Sequence, residues 1–98
     1  MYAVMQWYTF DPASSTELNR QIEDGCVPLL RHLPGFVACY WLDSGAGAGA
    51  SLCAFEDQAS AFAALALVAK SGPARLAALV GQPEVLAGAV TVFANAGL

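Results

Sequence analysis

Five side chains in this sequence are candidates for binding or transforming an aromatic compound: Trp7, Tyr8, His32, Tyr40 and Trp41. An imidazole titrates near neutral pH, so His32 is a candidate general base. Tyrosine hydroxyls can hold a phenolic ligand, and indole rings can wall an apolar pocket. Each residue also has an ordinary structural explanation. A histidine at a helix end favours the carbonyl end of the dipole, and aromatic residues pack in cores and subunit interfaces.

The sequence argues against several other kinds of site. One histidine and scattered carboxylates do not make a metal site. The glycines within 44–49 join two predicted strands and precede no helix, so they do not form a dinucleotide-binding loop. The adjacent acids at 23–24 are typical of a solvated helix face, and those at 56–57 are typical of a helix start.

Composition and charge limit the class of protein and its partners. The 98 residues predict one domain, residues 1–98, and 57% of them are hydrophobic whereas 12% are charged. Charged residues usually make up about a quarter of a globular domain, so we expect apolar surface to be covered by a second copy of the chain. The alternative is that the excess is mostly alanine, which water tolerates. Eight acidic and four basic residues argue against nucleic acid and anionic membranes as partners.

The cysteines and the N-terminus bear on localisation. Cys26, Cys39 and Cys53 are odd in number and show no zinc spacing, which favours small buried thiols in a reducing compartment. Cys39 and Cys53 fall on neighbouring predicted strands and can lie near each other. The N-terminus lacks the features of a signal peptide, and the longest apolar run, 61–69, is shorter than the about twenty residues of a membrane span. We therefore predict a cytoplasmic protein.

The order of the predicted elements is β-α-β-β-α-β, an α+β ferredoxin-like fold with a four-stranded antiparallel sheet. Predicted strands cover 2–10, 36–43, 50–55 and 89–93, and predicted helices cover about 14–33 and 58–70, with a further segment at 74–80. Both sides of the first strand are largely apolar. The helices of one chain cover one face of such a sheet, so a partner sheet should cover the other.

The first helix carries its own local signals. Ser14 to Glu17 reads as a capping box at its start. Pro28 lies inside the apolar pattern and predicts a kink. The predicted buried stripe consists of Leu18, Ile22, Cys26, Leu29 and Leu33.

The order and spacing of several phrases make the whole chain resemble one family. These phrases lie at 1–4, 11–14, 27–30, 33–38, 55–57 and 83–88. Together they look like the antibiotic-biosynthesis-monooxygenase-like proteins of the dimeric α/β-barrel superfamily. The chain departs from that pattern in its alanine-rich second helix and in its Gly-Ala turn, where Gly-Asp-Gly is more usual. It also lacks a recognisable haem ligand set, so we expect no haem.

The resemblance implies a homodimer of ferredoxin-like subunits, each with a pocket between its own sheet and helices. It further implies cofactor-free oxygenation of a small aromatic or quinol-type compound. On that basis His32 and Tyr40 are the candidate catalytic residues, and Trp7, Tyr8 and Trp41 are the candidate substrate-binding residues. No metal or other cofactor is expected. The alternative is a non-catalytic dimeric barrel that binds a small hydrophobic ligand or serves only in assembly.

Overall fold

The computed structural model describes residues 1–72 and 76–96, and its elements follow the predicted order. The strands are β1 (Tyr2–Thr9), β2 (Phe36–Asp43), β3 (Ala48–Phe55) and β4 (Glu84–Ala89); the helices are α1 (Ser15–Gln21), α2 (Val27–Arg31), α3 (Gln58–Ser71) and α4 (Leu76–Leu79). The sheet has the order β2-β3-β1-β4, and all neighbouring strands are antiparallel. The predicted ferredoxin-like α+β fold is confirmed.

The start of the first helical region differs from the prediction. The Asp11 carboxylate accepts a backbone N–H bond and opens a short 3₁₀ turn, Pro12–Ser14, that leads into α1. Within the described chain, the Ser14 side chain makes no capping hydrogen bond, so the predicted capping box is wrong. Glu17 is instead paired with Arg20, at 2.7 Å between carboxylate and guanidinium. Asp11 takes the capping role because the chain turns into a helix one short turn earlier than predicted.

A π-helical turn, Ile22–Cys26, separates α1 from α2. At its end the backbone N–H of Val27 bonds to the carbonyl of Ile22, five residues back. Pro28 follows in the first turn of α2, where its missing N–H is tolerated. The irregularity that Pro28 predicts therefore lies in the turn before the proline.

The π-turn also resets the buried stripe of this helical region. Its fully buried residues follow one another at intervals of four: Leu18, Ile22, Cys26 and Leu30. An α-helix has 3.6 residues per turn, so a spacing of four drifts around it, and one wider turn corrects the drift. Leu30 is therefore buried, whereas Leu29 and Leu33, which the regular pattern predicts, are only partly buried.

The hairpin and α3 form largely as their local signals predict. Strand β2 has the predicted bounds, and β3 begins at Ala48, two residues earlier than predicted. Gly47 has a φ of +85° in the turn, and a Cβ there would lie 2.8 Å from the Phe10 carbonyl oxygen. Helix α3 is capped by Asp57, whose carboxylate accepts the Ser60 backbone N–H at 2.7 Å. This hydrogen bond lowers the pKa of the Asp57 carboxyl.

The last strand lies earlier in the chain than predicted. Strand β4 covers Glu84–Ala89, whereas the sequence pattern predicted 89–93. Pairing with β1 explains the difference, because Ala89 is opposite Tyr2 and the Val90 N–H bonds to the Met1 carbonyl. Past that point β1 offers no partner. The predicted segment 74–80 is represented by α4, and residues 74 and 75 lie outside the described residues.

The sheet is apolar on both faces, as predicted. Under the helices, the core includes Val4, Leu30 and Phe55 together with Ala61 and Ala64 of α3. On the opposite side, which we call the outer face, large apolar side chains are 37–65% exposed: Met5, Trp7, Tyr40, Leu42, Leu52 and Leu86. The strand registers place all six on that side.

Two of the three cysteines depart from the prediction. Cys39 and Cys53 are directly opposite each other on β2 and β3, and a disulfide joins them. Cys26 is free and buried. The prediction of buried thiols is therefore right for Cys26 and wrong for the other two, because the hairpin register brings their sulfurs together. The cysteines no longer argue for a reducing compartment, and cytoplasmic localisation stays a prediction.

Among the described helices, none combines the length and apolar character that crossing a bilayer requires.

Candidate functional site

A cavity of about 130 Å³ lies between the sheet and the helices. Its floor comes from β1, β2 and β3, and its roof comes from the first helical region, α3 and α4. The roof contributes apolar side chains: Leu18, Ile22, Cys26, Leu30, Ala64, Leu65, Val68 and Leu76. An engineered apolar cavity of about 150 Å³ binds benzene. The cavity therefore has room for one aromatic ring.

The strand registers arrange the floor in rows. Trp41 on β2, Ser51 on β3 and Gln6 on β1 are paired in sequence across the sheet. Tyr8 forms the next row with Gly49. Antiparallel partners have side chains on the same face, so these groups share the helix side. The floor thus combines two aromatic rings with an amide and a hydroxyl.

The Tyr8 ring fits in its position because its cross-strand partner, Gly49, has no side chain. A Cβ added to Gly49 would lie 2.8 Å from Cε2 of the Tyr8 ring and 3.0 Å from the Leu42 carbonyl oxygen. The ring therefore occupies the space that a larger residue at position 49 would fill. Burial, followed by the nearby Asp43 and Cys26, raises the pKa of the Tyr8 phenol. Tyr8 is a neutral hydrogen-bonding group at physiological pH.

The cavity presents no ionised group in the part of its wall that the structure describes. Its lining contains no Asp, Glu, Lys, Arg or His. The lining groups that titrate are the Tyr8 phenol and the Cys26 thiol, since Cys53 is in the disulfide. Burial raises the pKa of the Cys26 thiol. The cavity favours a neutral occupant, because an ion inside it would find no counter-charge.

The structure separates the five candidate residues of the sequence analysis. Tyr8 and Trp41 line the cavity. Trp7 and Tyr40 lie on the outer face, where the Trp7 indole N–H donates to the carboxylate of Glu84. His32 is exposed at the C-terminal end of α2. The candidate catalytic pair, His32 and Tyr40, is therefore not assembled at the cavity, and any role of either residue in catalysis stays a prediction.

Sequence reasoning missed Gln6 and Ser51, the two polar groups of the floor. Both were visible as polar residues within otherwise apolar strands. Strand alternation puts Gln6 on the same face as Val4 and Tyr8, the face that the helices cover. A polar residue at such a position is a signal for a site, because buried polar groups require partners.

A wider depression of about 490 Å³ adjoins the cavity and is lined from α3, α4 and the residues before β4. Gln6, Leu65, Val68 and Leu76 line both spaces. We call this space the outer depression. It extends the site toward the molecular surface. Substituents of a ligand whose ring occupies the cavity have room there.

Comparison with known proteins places the fold. No protein-family model matches the sequence, and no curated protein matches it. Solved structures do match. SnoaB, a cofactor-independent oxygenase from Streptomyces nogalater, is 18% identical, with a TM-score of 0.72 over 94% of this chain and 94% of its own.

Two further structures match at similar coverage. MhuD, a heme-degrader from Mycobacterium tuberculosis with two hemes bound in its active site, is 15% identical, with a TM-score of 0.75 over 97% of this chain and 100% of its own. A dimeric ferredoxin-like protein from an uncultured marine organism is 9% identical, with a TM-score of 0.79 over 97% of this chain and 92% of its own. The chain therefore has the fold that these three proteins share. The family resemblance in the sequence is confirmed at the level of the fold.

Proposed function

We propose that this chain is a cofactor-free, monooxygenase-like enzyme that oxidises a small aromatic or quinol-type compound in the cavity. The observation that carries the proposal is the apolar cavity of about 130 Å³ floored by Tyr8 and Trp41. Its size suits one aromatic ring, and its walls are mostly apolar. The fold shared with a cofactor-independent oxygenase supports the same class of chemistry.

In such a reaction the substrate supplies all the electrons. A neutral phenol or enol transfers one electron together with its hydroxyl proton to O₂, and the resulting radical pair combines into a hydroperoxide on the substrate carbon. When that carbon began as a CH₂ group, loss of water leaves a carbonyl. One oxygen atom of O₂ then ends in the product and the other ends in water. The protein has to hold the ring, admit O₂ and keep bulk water away.

The described cavity wall contains no group that is a base at neutral pH, since Tyr8 and Cys26 both have raised pKa values. The hydroxyl proton of the substrate must therefore leave together with the electron and pass to O₂, so that no ion forms in the cavity. Electron-rich hydroquinones and related enols suit this requirement better than simple arenes. The protein contributes by positioning the substrate and by surrounding it with mostly apolar side chains.

We also propose that the working unit is a homodimer joined through the outer face. Six large apolar side chains, 37–65% exposed, share that side of the sheet. Exposed apolar patches of this kind mark association surfaces. The Glu84 carboxylate, opposite Trp7 on this side of the sheet, accepts the Trp7 indole N–H, so part of its hydrogen-bonding capacity is met within the subunit.

Oxygen uptake tests the catalytic proposal. The purified protein is mixed with a panel of hydroquinones and phenols in an oxygen electrode, and products are checked by mass spectrometry for one added oxygen atom. Ala64 is buried and lines the cavity, whereas Ala63 beside it on α3 is exposed. Ala64→Leu should therefore reduce turnover about tenfold or more by filling the cavity, and the matched Ala63→Leu should not.

The opposite results would reject the enzyme. Failure of every compound to raise oxygen uptake above the protein-free rate excludes this activity for that class. Equal turnover in Ala64→Leu and Ala63→Leu places any reaction elsewhere. We expect His32→Ala and Tyr40→Phe to keep the full rate of oxygen uptake, because neither residue lines the cavity. A large loss of rate in either variant would instead support a catalytic role for that residue.

A non-catalytic dimeric barrel that binds a small hydrophobic ligand is the second candidate function. The observation that favours it is the lack of an ionised group in the described cavity wall. It predicts that aromatic compounds bind, that Ala64→Leu weakens their binding, and that no oxygen is consumed.

A further inference from the structure

Gln6 and Ser51 place an amide and a hydroxyl side by side on the floor of an otherwise apolar cavity. They are direct partners across β1 and β3, and both line the cavity. Ser51 is 9% exposed. Among the described residues, neither side chain has a hydrogen-bond partner. Every fully enclosed polar side-chain atom in the described chain does have a partner, so the polar atoms of Gln6 and Ser51 are not fully enclosed. Both groups therefore reach the open space of the cavity.

A ligand that fills the cavity displaces water from this pair, so the pair then requires a polar partner on the ligand. A buried polar group that loses water and gains no partner destabilises the fold. The neighbouring row of the same floor carries Val4 and Cys53, which require no polar partner. An apolar residue at either position would have avoided the cost. A ligand that fills the cavity should therefore carry a polar group that bonds to the pair.

The chemistry of the pair defines that group. A carboxamide offers two N–H donors and a carbonyl acceptor, and a hydroxyl both donates and accepts. No charged side chain is present in the described cavity wall, so a carboxylate or ammonium would lack a counter-charge. A neutral phenolic hydroxyl or an aryl carbonyl satisfies both protein groups.

We propose that Gln6 and Ser51 form a polar subsite that binds the neutral hydroxyl or carbonyl of a monocyclic aromatic group, with its ring against Trp41. Trp41 is the cross-strand partner of Ser51, which puts an indole beside the bound oxygen. Gln6 also lines the outer depression, so substituents of a larger ligand extend past it in that direction. This inference rests on the cavity of the proposed function and requires no turnover.

The test compares two probes of similar size, phenol and toluene. Their dissociation constants are measured by ¹⁵N–¹H NMR titration of the full chain and of Gln6→Leu/Ser51→Ala. The ratio of the toluene constant to the phenol constant should fall about tenfold in the variant, equivalent to about 1.4 kcal/mol. Toluene should still bind, which shows that the cavity is intact. Tyr8 remains in both proteins and does not account for the difference.

A matched control changes the same residue types outside the cavity. Gln58 and Ser71 are exposed at the two ends of α3. Gln58→Leu/Ser71→Ala should leave the ratio within twofold of the parent. If the double cavity variant does not fold, Ser51→Ala alone removes one oxygen atom and should lower the ratio in the same direction.

Two results would overturn the subsite. An unchanged ratio with toluene still bound would mean that water satisfies the pair, and failure of both probes to bind the parent would mean that the cavity takes no ligand. The oxygenase proposal fails in a different way. If the protein consumes no oxygen but the double variant still lowers the toluene-to-phenol ratio of dissociation constants, the oxygenase proposal is wrong and the polar subsite is supported.

Discussion

Tyr8 illustrates how one residue without a side chain positions another. A Cβ on Gly49 would meet the Tyr8 ring at 2.8 Å and the Leu42 carbonyl oxygen at 3.0 Å. The ring can turn away, but the carbonyl is part of the β2 backbone and cannot yield as easily. The contact therefore links the shape of the hairpin to the floor of the cavity.

We predict that Gly49→Ala destabilises the protein by about 1–3 kcal/mol, the usual cost of overpacking. It should also weaken phenol binding, because Tyr8 is displaced. Gly88→Ala is the matched control, since a Cβ there meets nothing within 4 Å. Urea unfolding measures the difference. Equal stability of the two variants would show that the Tyr8 ring does not depend on Gly49.

The pH dependence of binding also belongs to individual residues. Burial raises the pKa values of the Tyr8 phenol and the Cys26 thiol above their usual range, so both groups stay protonated as the pH rises through neutrality. Each group is neutral in the cavity below its raised pKa, and ionisation would disturb the site only above it. Toluene affinity should therefore be constant from about pH 6 to 8. NMR titration at several pH values checks this. A sigmoidal change with a midpoint in that range would reveal an ionising group at the cavity.

At the scale of elements, the disulfide ties β2 to β3 directly under the cavity. Its two cysteines are 14 residues apart in sequence. In the chain-entropy account a bridge that closes about 15 residues stabilises a fold by about 3 kcal/mol. Cys53 also lines the cavity, so the bridge stiffens part of the site.

We predict that the denatured, unreduced chain has one thiol that reacts with iodoacetamide, Cys26, and that reduction exposes all three cysteines. Cys39→Ala/Cys53→Ala should lower the free energy of unfolding by about 3 kcal/mol. Cys26→Ala is a control for cysteine content that leaves the bridge in place. Mass spectrometry counts the alkyl groups, and three groups without reductant would contradict the bridge.

The sequence correctly predicted the elements whose bounds are determined by neighbouring residues. The bounds of β2 and the Asp57 cap follow from neighbouring residues, and both are confirmed. The bounds of β4 depend on β1, about 80 residues away, so the β-rich run at 89–93 misled the prediction. Leu30 replaced Leu29 in the core because one π-turn shifted the helical register, which a regular 3.6-residue pattern does not anticipate.

The same limit explains the candidate site. Tyr40 and Trp41 are adjacent in a strand and point to opposite faces, so their chemistry alone could not say which one meets a ligand. Only the register with β3 assigns Trp41 to the cavity and Tyr40 to the outer face. Gln6 and Ser51 became visible as a pair only when β1 and β3 were aligned.

For the whole molecule, the outer face is the surface through which we propose that two subunits associate. Leu52 lies between Met5 and Tyr40 in the cross-sheet order, at the middle of the apolar surface. We predict that Leu52→Lys shifts the native mass from dimer to monomer, because a charge there would be buried without a partner. Val92→Lys is the control, an exposed apolar residue outside the sheet at 86% exposure. Light scattering after gel filtration gives the mass. A monomeric parent protein would refute the homodimer, and a dimeric Leu52→Lys would place the interface elsewhere.

The outer depression opens beside α3 and α4, on the opposite side of the sheet from the outer face. In the proposed homodimer, ligand entry and subunit contact therefore use opposite sides of the same four strands. In such a dimer each subunit can bind and release its ligand without dissociation of the two subunits. For the proposed enzyme we therefore expect the rate per chain to be the same whether the cavity of the second subunit is occupied or empty.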